Sequence, residues 1–386
     1  MVDQGKNGHQ RALEALLGVP TTDGNIVTVL RNGDEIFPAM LDAIRGAEHT
    51  VDLLSYVWWK GDICTEFAEA LATKAREGVR VRVLLDAIGA RLMEEDDKER
   101  MEDAGVSLWF FRSVNDLQMW ESTHRTHRRA LVVDGQVGFT GGVGIADEWT
   151  GDANSPDEWR DTHLRLDGPA VDGLRAAFLQ NWGESDHPFI TEADRYPALS
   201  RDGDKSVMVV RSSAGHGVSS MSMLKTLMIE LAQERVRITS AYLAPEEHAK
   251  AALARACDRG VEVELLVPGD HIDKRVAKIA AEQHFEELLD IGVRIYTYDR
   301  TMLHAKTMTV DGVVADIGTA NFNSRSFSQD EEVNVVVFDP EVAGLLDEHF
   351  DQDLEHSTQV TPELWDDRGW VQRAAENAVS LVDGAM

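Results

Sequence analysis

The segment that decides the fold spans residues 302–335 and reads MLHAKTMTVDGVVADIGTANFNSRSFSQDEEVNV. Within it, His304 and Lys306 are two residues apart on a predicted strand, so both side chains leave the same face. Asp311 and Gly312 lie between two apolar runs, which is a strong signal for a hairpin turn. We therefore predict two antiparallel strands with polar side chains gathered at one end.

Polar residues that follow this hairpin extend the cluster. The turn Gly318-Thr319-Ala320-Asn321 is predicted to bring Asn321 back beside His304, and Glu332 stands at the edge of the next predicted strand. A histidine can attack phosphorus or protonate a leaving oxygen, and a carboxylate can orient its imidazole. Lysine and asparagine supply donors for phosphoryl oxygens. The cluster is therefore suited to a phosphodiester.

A second copy of the pattern lies in residues 126–149, which read THRRALVVDGQVGFTGGVGIADEW. His127 and Arg129 share one strand face, and Asp134 precedes a glycine at the predicted turn. Asp161, farther on, is a candidate carboxylate partner for His127. One match to His-x-(Lys/Arg)-x4-Asp is weak, but two at equivalent points of a repeat are a strong signal.

The repeat extends beyond the two motifs. A strand, a helix and a strand are predicted at residues 50–56, 65–77 and 79–85, and again at 236–240, 246–259 and 260–266. Such alternation predicts an α/β protein, and its repetition predicts two lobes. The predicted division is an amino-terminal extension at 1–23, a first lobe at 24–186, a linker at 187–204, a second lobe at 205–356 and a carboxy-terminal helix at 357–386.

The net charge of the chain restricts the kinds of ligand that it can bind. The 386 residues carry 38 basic and 68 acidic side chains, a formal charge of −30. This charge repels nucleic acid and anionic lipid at long range unless basic residues are concentrated locally. The cluster at residues 124–129 is such a local concentration, and we expect it to face Lys306. We therefore expect a phosphate-bearing ligand but not nucleic acid.

Hydropathy and the number of cysteines argue against membrane-spanning, secreted and disulfide-rich classes of protein. No apolar run approaches the roughly 18 residues of a membrane span, and the amino terminus lacks the apolar core of a signal peptide. The expectation is a cytoplasmic protein with at most peripheral, transient contact with a membrane. Two cysteines are too few for a disulfide framework or a cysteine-based zinc site.

On these motifs the chain resembles the phospholipase D superfamily, and within it the bacterial cardiolipin synthase-like branch. That family pairs two HxKx4D motifs, each followed by a Gly-Ser-x-Asn-like turn. The resemblance implies two repeated phospholipase D-like lobes, each a mixed β-sheet flanked by helices, with one active site at the pseudo-twofold interface. It implies phosphatidyl transfer or phospholipid hydrolysis through a phosphohistidine, with water or an alcohol as acceptor and without metal or cofactor. A nuclease or other phosphodiesterase of the superfamily, or a degenerate phosphate-binding scaffold, are the alternatives.

The functional residues of the family can be matched to individual positions of this sequence. The resemblance implies catalytic roles for His127, Arg129, Asp161, His304, Lys306 and Glu332, phosphate binding by Thr319 and Asn321, and a structural role for Asp134 and Asp311. Family analogy favours His127 as the nucleophile and His304 as the acid, although the more complete motif surrounds His304.

Two positions of the first motif depart from the family pattern. Arg129 stands where the family has lysine, and Gly144 stands where it has asparagine. Arginine keeps the charge with a longer, planar group, whereas glycine removes a donor. Arg125 and Arg128 are the candidates to supply the missing donor.

Overall fold

Strands and helices alternate throughout the first half of the chain. The computed structural model describes residues 6–112, 124–185, 187, 190–191, 196–213 and 219–366. The elements of the first half are α1 (Lys6–Leu17), β1 (Thr22–Arg31), α2 (Asn32–Arg45), β2 (Thr50–Ser55), α3 (Asp62–Arg76), β3 (Arg80–Asp86), α4 (Glu95–Asp103), β4 (Ser107–Phe111), β5 (Ala130–Val133), β6 (Val137–Gly141), a 3-10 turn (Asp147–Trp149), β7 (Thr162–Asp167) and α5 (Val171–Glu184).

The second half follows the same plan. Its elements are β8 (Lys205–Ser212), α6 (Ser220–Leu231), β9 (Arg235–Thr239), α7 (Glu247–Asp258), β10 (Glu262–Pro268), α8 (Arg275–Glu282), α9 (Phe285–Asp290), β11 (Arg294–Tyr298), β12 (Thr307–Val310), β13 (Val314–Gly318), α10 (Ser324–Ser328), β14 (Glu332–Phe338), α11 (Pro340–Leu354), β15 (Ser357–Val360) and α12 (Pro362–Asp366). The predicted α/β class with two repeated units is confirmed.

Local sequence explains where elements begin and end. Helix α11 begins at a proline, which suits the first helical turn, and the Asp339 carboxylate caps it by accepting the N–H groups of Glu341 and Val342. Gly78 follows α3 with φ +94°, a conformation that glycine adopts without strain. Strand β14 is buried along its whole length, as its run of valines predicts.

The two halves join into one mixed sheet of 15 strands. Its order is β15-β11-β10-β9-β12-β13-β14-β8-β1-β7-β6-β5-β2-β3-β4. Read outward from the central β8–β1 pair, the first seven strands on each side follow the same order, and β15 is added at the outer edge of the second half. That central contact is antiparallel and pairs Thr22 with Val207 and Asn25 with Lys205. The motif hairpins β5–β6 and β12–β13 therefore occupy equivalent places on either side of a pseudo-twofold axis.

A shared apolar core fixes the two halves against each other. It includes Leu164 and Leu166 of β7 together with Ile317 and Val335 of β13 and β14, all with no exposed area. Burying aliphatic side chains of this size stabilises an interface by roughly 1.5–3 kcal/mol each. The relative position of the two motifs is consequently set by packing. Within the described residues, no helix combines the length and apolar character needed to span a membrane.

The carboxy-terminal region differs from the sequence-based expectation. We predicted a helix over 357–386, but Ser357–Val360 forms strand β15, antiparallel to β11. Strand β11 would otherwise expose an unpaired edge, and β15 covers it. A short helix, Pro362–Asp366, follows, and the rest of the predicted helix lies outside the described residues. The domain boundaries themselves remain predictions.

Candidate active site

Each motif histidine is anchored to the opposite half of the molecule. The backbone N–H of His127 donates to the carbonyl oxygen of Glu331 at 2.9 Å. At the equivalent point, the N–H of His304 donates to the carbonyl oxygen of Arg160 at 2.7 Å. Both histidines precede their motif strands, β5 and β12, so the two motifs meet where the halves contact. The site is therefore built jointly by both halves.

The histidine–carboxylate pairs cross between the halves. His127 Nδ1 lies 3.1 and 3.2 Å from the two carboxylate oxygens of Glu332, and His304 Nδ1 lies 2.7 Å from Asp161 Oδ2. The expectation that Asp161 serves His127 was wrong. Asp161 and Glu332 stand at the starts of β7 and β14, the strands that flank the central pair. Each carboxylate therefore faces the other half's histidine.

Burial sets the protonation of these pairs. It lowers the pKa of His127 to about 4 and that of His304 to about 3, although the facing carboxylates oppose the shift. Burial alone would raise the pKa values of Asp161 and Glu332, but the facing histidines and neighbouring donors more than offset it and leave both lowered. At neutral pH each pair is thus a neutral imidazole beside a carboxylate. A neutral imidazole is the nucleophilic form.

Two buried cations occupy equivalent positions beside the histidines. Lys306 Nζ lies 3.1 Å from His304 Nδ1, donates to the His304 carbonyl oxygen, and has a pKa that burial lowers to about 7. Arg129 Nη1 donates to the His127 carbonyl oxygen at 3.2 Å, and its Nε has no partner among the described residues. Burial lowers the pKa of Arg129, while Asp161 and Glu332 counteract this. The two basic side chains therefore occupy equivalent places, each beside the histidine of its own motif.

Thr319 and Asn321 differ in their availability to a ligand. The Thr319 hydroxyl donates to the Glu332 carboxylate and accepts from the Val333 N–H at 3.0 Å. It therefore supports Glu332, where the sequence predicted a phosphate contact. Asn321 is 3% exposed, and its Oδ1 has no partner among the described residues. Its backbone N–H donates to the Ser326 hydroxyl at 3.1 Å, so the side-chain amide is not taken up by that contact, and its role in binding phosphate stays a prediction.

The motif aspartates point away from the histidines. Asp134 and Asp311 adopt φ values of +50° and +52° at the hairpin turns. Each carboxylate accepts three successive backbone N–H groups, from Glu48, His49 and Thr50 and from Gln233, Glu234 and Arg235 respectively. Aspartate tolerates this left-handed conformation better than most residues. The contacts are those of a residue that ties a turn to the neighbouring strand.

The sequence is similar to that of known proteins over most of its length. The family model described as cardiolipin synthase, PLD-like domain, matches residues 40–155 and 226–354. A probable cardiolipin synthase of Bacillus subtilis is 32% identical over 361 residues, which cover 93% of this chain and 72% of that protein. A cardiolipin synthase of Alkalihalophilus pseudofirmus is 34% identical over 383 residues, which cover 97% and 76%. The chain belongs to the phospholipase D superfamily, in its cardiolipin synthase-like branch.

A solved structure has the same overall fold. The crystal structure of phosphatidylserine synthase from Haemophilus influenzae matches with a TM-score of 0.70 at 15% identity, covering 97% of this chain and 96% of that one. At that identity the likeness shows the fold alone. The sequence-based prediction of a phospholipase D-family phosphatidyltransferase is confirmed by the family match and the relatives.

The first motif departs from the phospholipase D pattern at Gly144, and the structure shows why no side chain fits. A Cβ atom added at Gly144 would lie 2.6 Å from the Val57 Cβ and 3.2 Å from the Trp149 ring. The space that an asparagine would need is therefore filled by these two side chains. The donor missing at this position must come from elsewhere.

Arg125 and Arg128 do not supply it, contrary to expectation. Arg125 is bound by the Asp86 carboxylate at 2.9 to 3.1 Å. Arg128 donates to Asn181 Oδ1 at 2.9 Å and to the Ser212 carbonyl oxygen at 2.7 Å. Of the basic cluster at 124–129, Arg129 is the guanidinium that lies beside a motif histidine. The cluster does not present its full charge to Lys306.

Aromatic side chains enclose the histidines, and sequence reasoning missed them. Trp149 Nε1 donates to Asp161 Oδ2 at 2.8 Å, and the Trp149 and Trp159 rings lie 5.1 and 5.4 Å from the His304 ring. The Tyr56 ring lies 5.0 Å from that of His127. Proximity of Trp159 to Asp161 in sequence was the only available signal. In the described part of the chain, no group of three or more His, Cys, Asp and Glu side chains is arranged to hold a metal ion.

Proposed function

We propose that this protein transfers the phosphatidyl group of a phospholipid to an acceptor alcohol through a covalent phosphohistidine. The crossed pairs, His127 with Glu332 and His304 with Asp161, carry the proposal. The two oriented imidazoles supply a nucleophile and a general acid. The two buried basic side chains beside them supply hydrogen-bond donors for the phosphate oxygens. Cardiolipin synthases among the relatives support a phospholipid as the donor.

In the first step His127 attacks the phosphorus. Its side chain is the more exposed of the two histidines, at 11% against 4% for His304. The Nε2 lone pair forms the P–N bond while the P–O bond to the leaving alcohol breaks. The resulting phosphoimidazolium cation retains its proton on Nδ1, and Glu332 stabilises it. The bound phosphate anion raises the pKa of His304, so His304 takes up a proton from solvent in the complex and gives its Nε2 proton to the leaving oxygen.

The second step reverses the proton transfer. Neutral His304 removes the proton of the acceptor hydroxyl, the acceptor oxygen attacks phosphorus, and the P–N bond breaks to return neutral His127. Asp161 stabilises the imidazolium that forms on His304. In this proposal Arg129 and Lys306 neutralise the charge on the non-bridging oxygens, and the Asn321 amide donates a hydrogen bond to them. If the acceptor is the headgroup of phosphatidylglycerol, the product is cardiolipin; if it is water, the product is phosphatidic acid.

Product analysis on phosphatidylglycerol vesicles tests the proposal. Cardiolipin and free glycerol are expected from transfer, and an added short alcohol should divert the phosphatidyl group to a new ester. Rapid quenching with labelled donor should trap an acid-labile phosphohistidine. His127→Ala should abolish this adduct, whereas His304→Ala should slow both its formation and its breakdown.

His248→Ala is the matched control, since His248 is an exposed histidine of α7 whose ring contacts the Ser222 hydroxyl at 2.6 Å and the Glu246 carboxylate at 3.2 Å, outside the crossed pairs. It should retain activity and adduct. Unchanged turnover in both His127→Ala and His304→Ala would refute the enzymatic role. An adduct on His304 instead of His127 would reverse the assignment of nucleophile and acid while leaving the reaction class intact.

A further inference from the structure

A strained asparagine holds the main chain of Asp161. Asn32 directly follows β1 and begins α2, with φ +59° and 2% of its surface exposed. Its N–H donates to the Asp161 carbonyl oxygen at 3.1 Å, and its Oδ1 accepts from the Asp161 N–H at 3.2 Å. Its Nδ2 donates to Asp152 Oδ1 at 2.8 Å, which fixes the orientation of the amide. Both backbone groups of Asp161 are therefore bound by one residue.

A serine occupies the corresponding place beside Glu332. Ser212 ends β8, is 3% exposed, and its Oγ accepts from the Glu332 N–H at 3.2 Å. The strand registers make the two positions equivalent: Arg31 pairs with Thr162, so Asn32 follows opposite Asp161, while Ser212 pairs directly with Glu332. On both sides of the pseudo-twofold axis, a buried polar side chain thus accepts the main-chain N–H of the acidic residue that faces a histidine, although the residue types differ.

We infer that Asn32 and Ser212 are positioning residues, which fix the carboxylates of Asp161 and Glu332 and through them the two catalytic histidines. The inference rests on the proposed function for its kinetic consequence, but not for its structural content. Neither side chain contacts a histidine, so each acts through its carboxylate. The left-handed backbone of Asn32 is a conformation that most residues adopt only under strain and that recurs at functional sites.

The carboxylate position controls how readily each imidazole accepts a proton. Around His304 the charged groups are Asp161, Lys306 and Arg129; only Asp161 favours the imidazolium. Around His127 they are Glu332, Arg129 and Lys306, and only Glu332 does so. Loosening either carboxylate should lower the pKa of its own histidine and leave the other unchanged.

The two positions therefore predict different pH profiles. In the substrate complex, where the phosphate anion raises the pKa of His304 above that of His127, deprotonation of the nucleophile His127 sets the acid limb of kcat and loss of the proton from His304 sets the alkaline limb. Asn32→Gly should move the alkaline limb to lower pH by about half to one unit, whereas Ser212→Ala should move the acid limb to lower pH by a similar amount. Both variants should lower kcat roughly tenfold, because small misplacements of reacting groups are costly.

Glycine is the informative replacement at position 32, since it accepts φ +59° and keeps the backbone bond to Asp161. Asn25→Ala is the matched control: Asn25 is a fully buried asparagine of β1, and its amide binds main-chain groups of Ala170 and Lys205 instead of those of Asp161 or Glu332. It should lower thermal stability without moving either limb. Histidine ¹⁵N chemical shifts, followed against pH with inorganic phosphate bound, report the same titrations without turnover.

These experiments distinguish a failure of the positioning roles from a failure of the proposed function. Reduced kcat in Asn32→Gly and Ser212→Ala with both limbs and both histidine titrations unmoved would overturn the inference, as would equal shifts in Asn25→Ala. Absence of any product from phosphatidylglycerol, together with selective shifts of the histidine titrations, would refute the proposed function and leave the positioning roles standing. Selective movement of the opposite limbs would support both residues' roles and exchange the nucleophile and the acid.

Discussion

The replacement Asp134→Ala tests whether the aspartate of the motif serves the turn or the chemistry. It removes an acceptor of three backbone N–H groups, at 2.8, 2.7 and 2.7 Å. Water can replace the carboxylate at the more exposed N–H groups of Glu48 and His49, so the three bonds together contribute about 2–3 kcal/mol. Alanine at φ +50° adds about 1 kcal/mol of strain. The free energy of unfolding should therefore fall by about 3–4 kcal/mol.

Turnover per folded molecule should change little. His127 lies seven residues from Asp134 along an extended strand, a separation of roughly 20 Å. Urea denaturation of Asp134→Ala, Asp134→Gly and Asp134→Asn separates the contributions: the glycine variant removes the strain, and the asparagine variant keeps one acceptor oxygen. Activity is then measured at a temperature where all are folded. A loss of more than 100-fold in the stable asparagine variant would show that this carboxylate takes part in the chemistry and refute the structural assignment.

Four further results are expected. Trp149→Phe, which removes the N–H bound to Asp161, should lower kcat about tenfold with little effect on KM in steady-state kinetics. Gly144→Ala should cost about 1–3 kcal/mol in chemical denaturation through its contacts with the Val57 Cβ and Cγ1, and the change should cost less in a Val57→Gly chain, which lacks both atoms. Burial raises the pKa of Asp330 to about 7, so the free energy of unfolding should fall as pH rises from about 4 to about 7, a slope that Asp330→Asn should flatten. Activity on anionic vesicles should rise with ionic strength as repulsion from the charge of −30 is screened, and a flat or falling profile would contradict this.

The sequence was sufficient for the local features of the site. Residue alternation located the motif strands β5 and β12, and the Asp-Gly pairs located their turns, because both signals depend on neighbours in the chain. The repeat predicted that the site has two equivalent contributions. Strand β15 was missed because its pairing with the edge of β11 is decided by tertiary structure and not by its own residues.

Contacts between distant residues were not predictable in the same way. Asp161 follows His127 by 34 residues and precedes His304 by 143, so proximity in sequence favoured the wrong partner. From sequence alone, Arg125 and Arg128 were equally good candidates to bind phosphate. In the structure their guanidinium groups are bound by buried partners, Asp86 and Asn181. Composition counts charges but does not say which of them are already paired.

The crossing of the carboxylates has a consequence for how the protein works as a unit. Because His127 depends on Glu332 and His304 on Asp161, neither half contains a complete histidine–carboxylate pair. A change in the position of one half relative to the other would separate both pairs at once. The apolar core between β7, β13 and β14 resists such a change, so its packing is part of the catalytic geometry as well as of the stability. Substitutions in that core, far from any phosphate, should therefore reduce turnover and stability together.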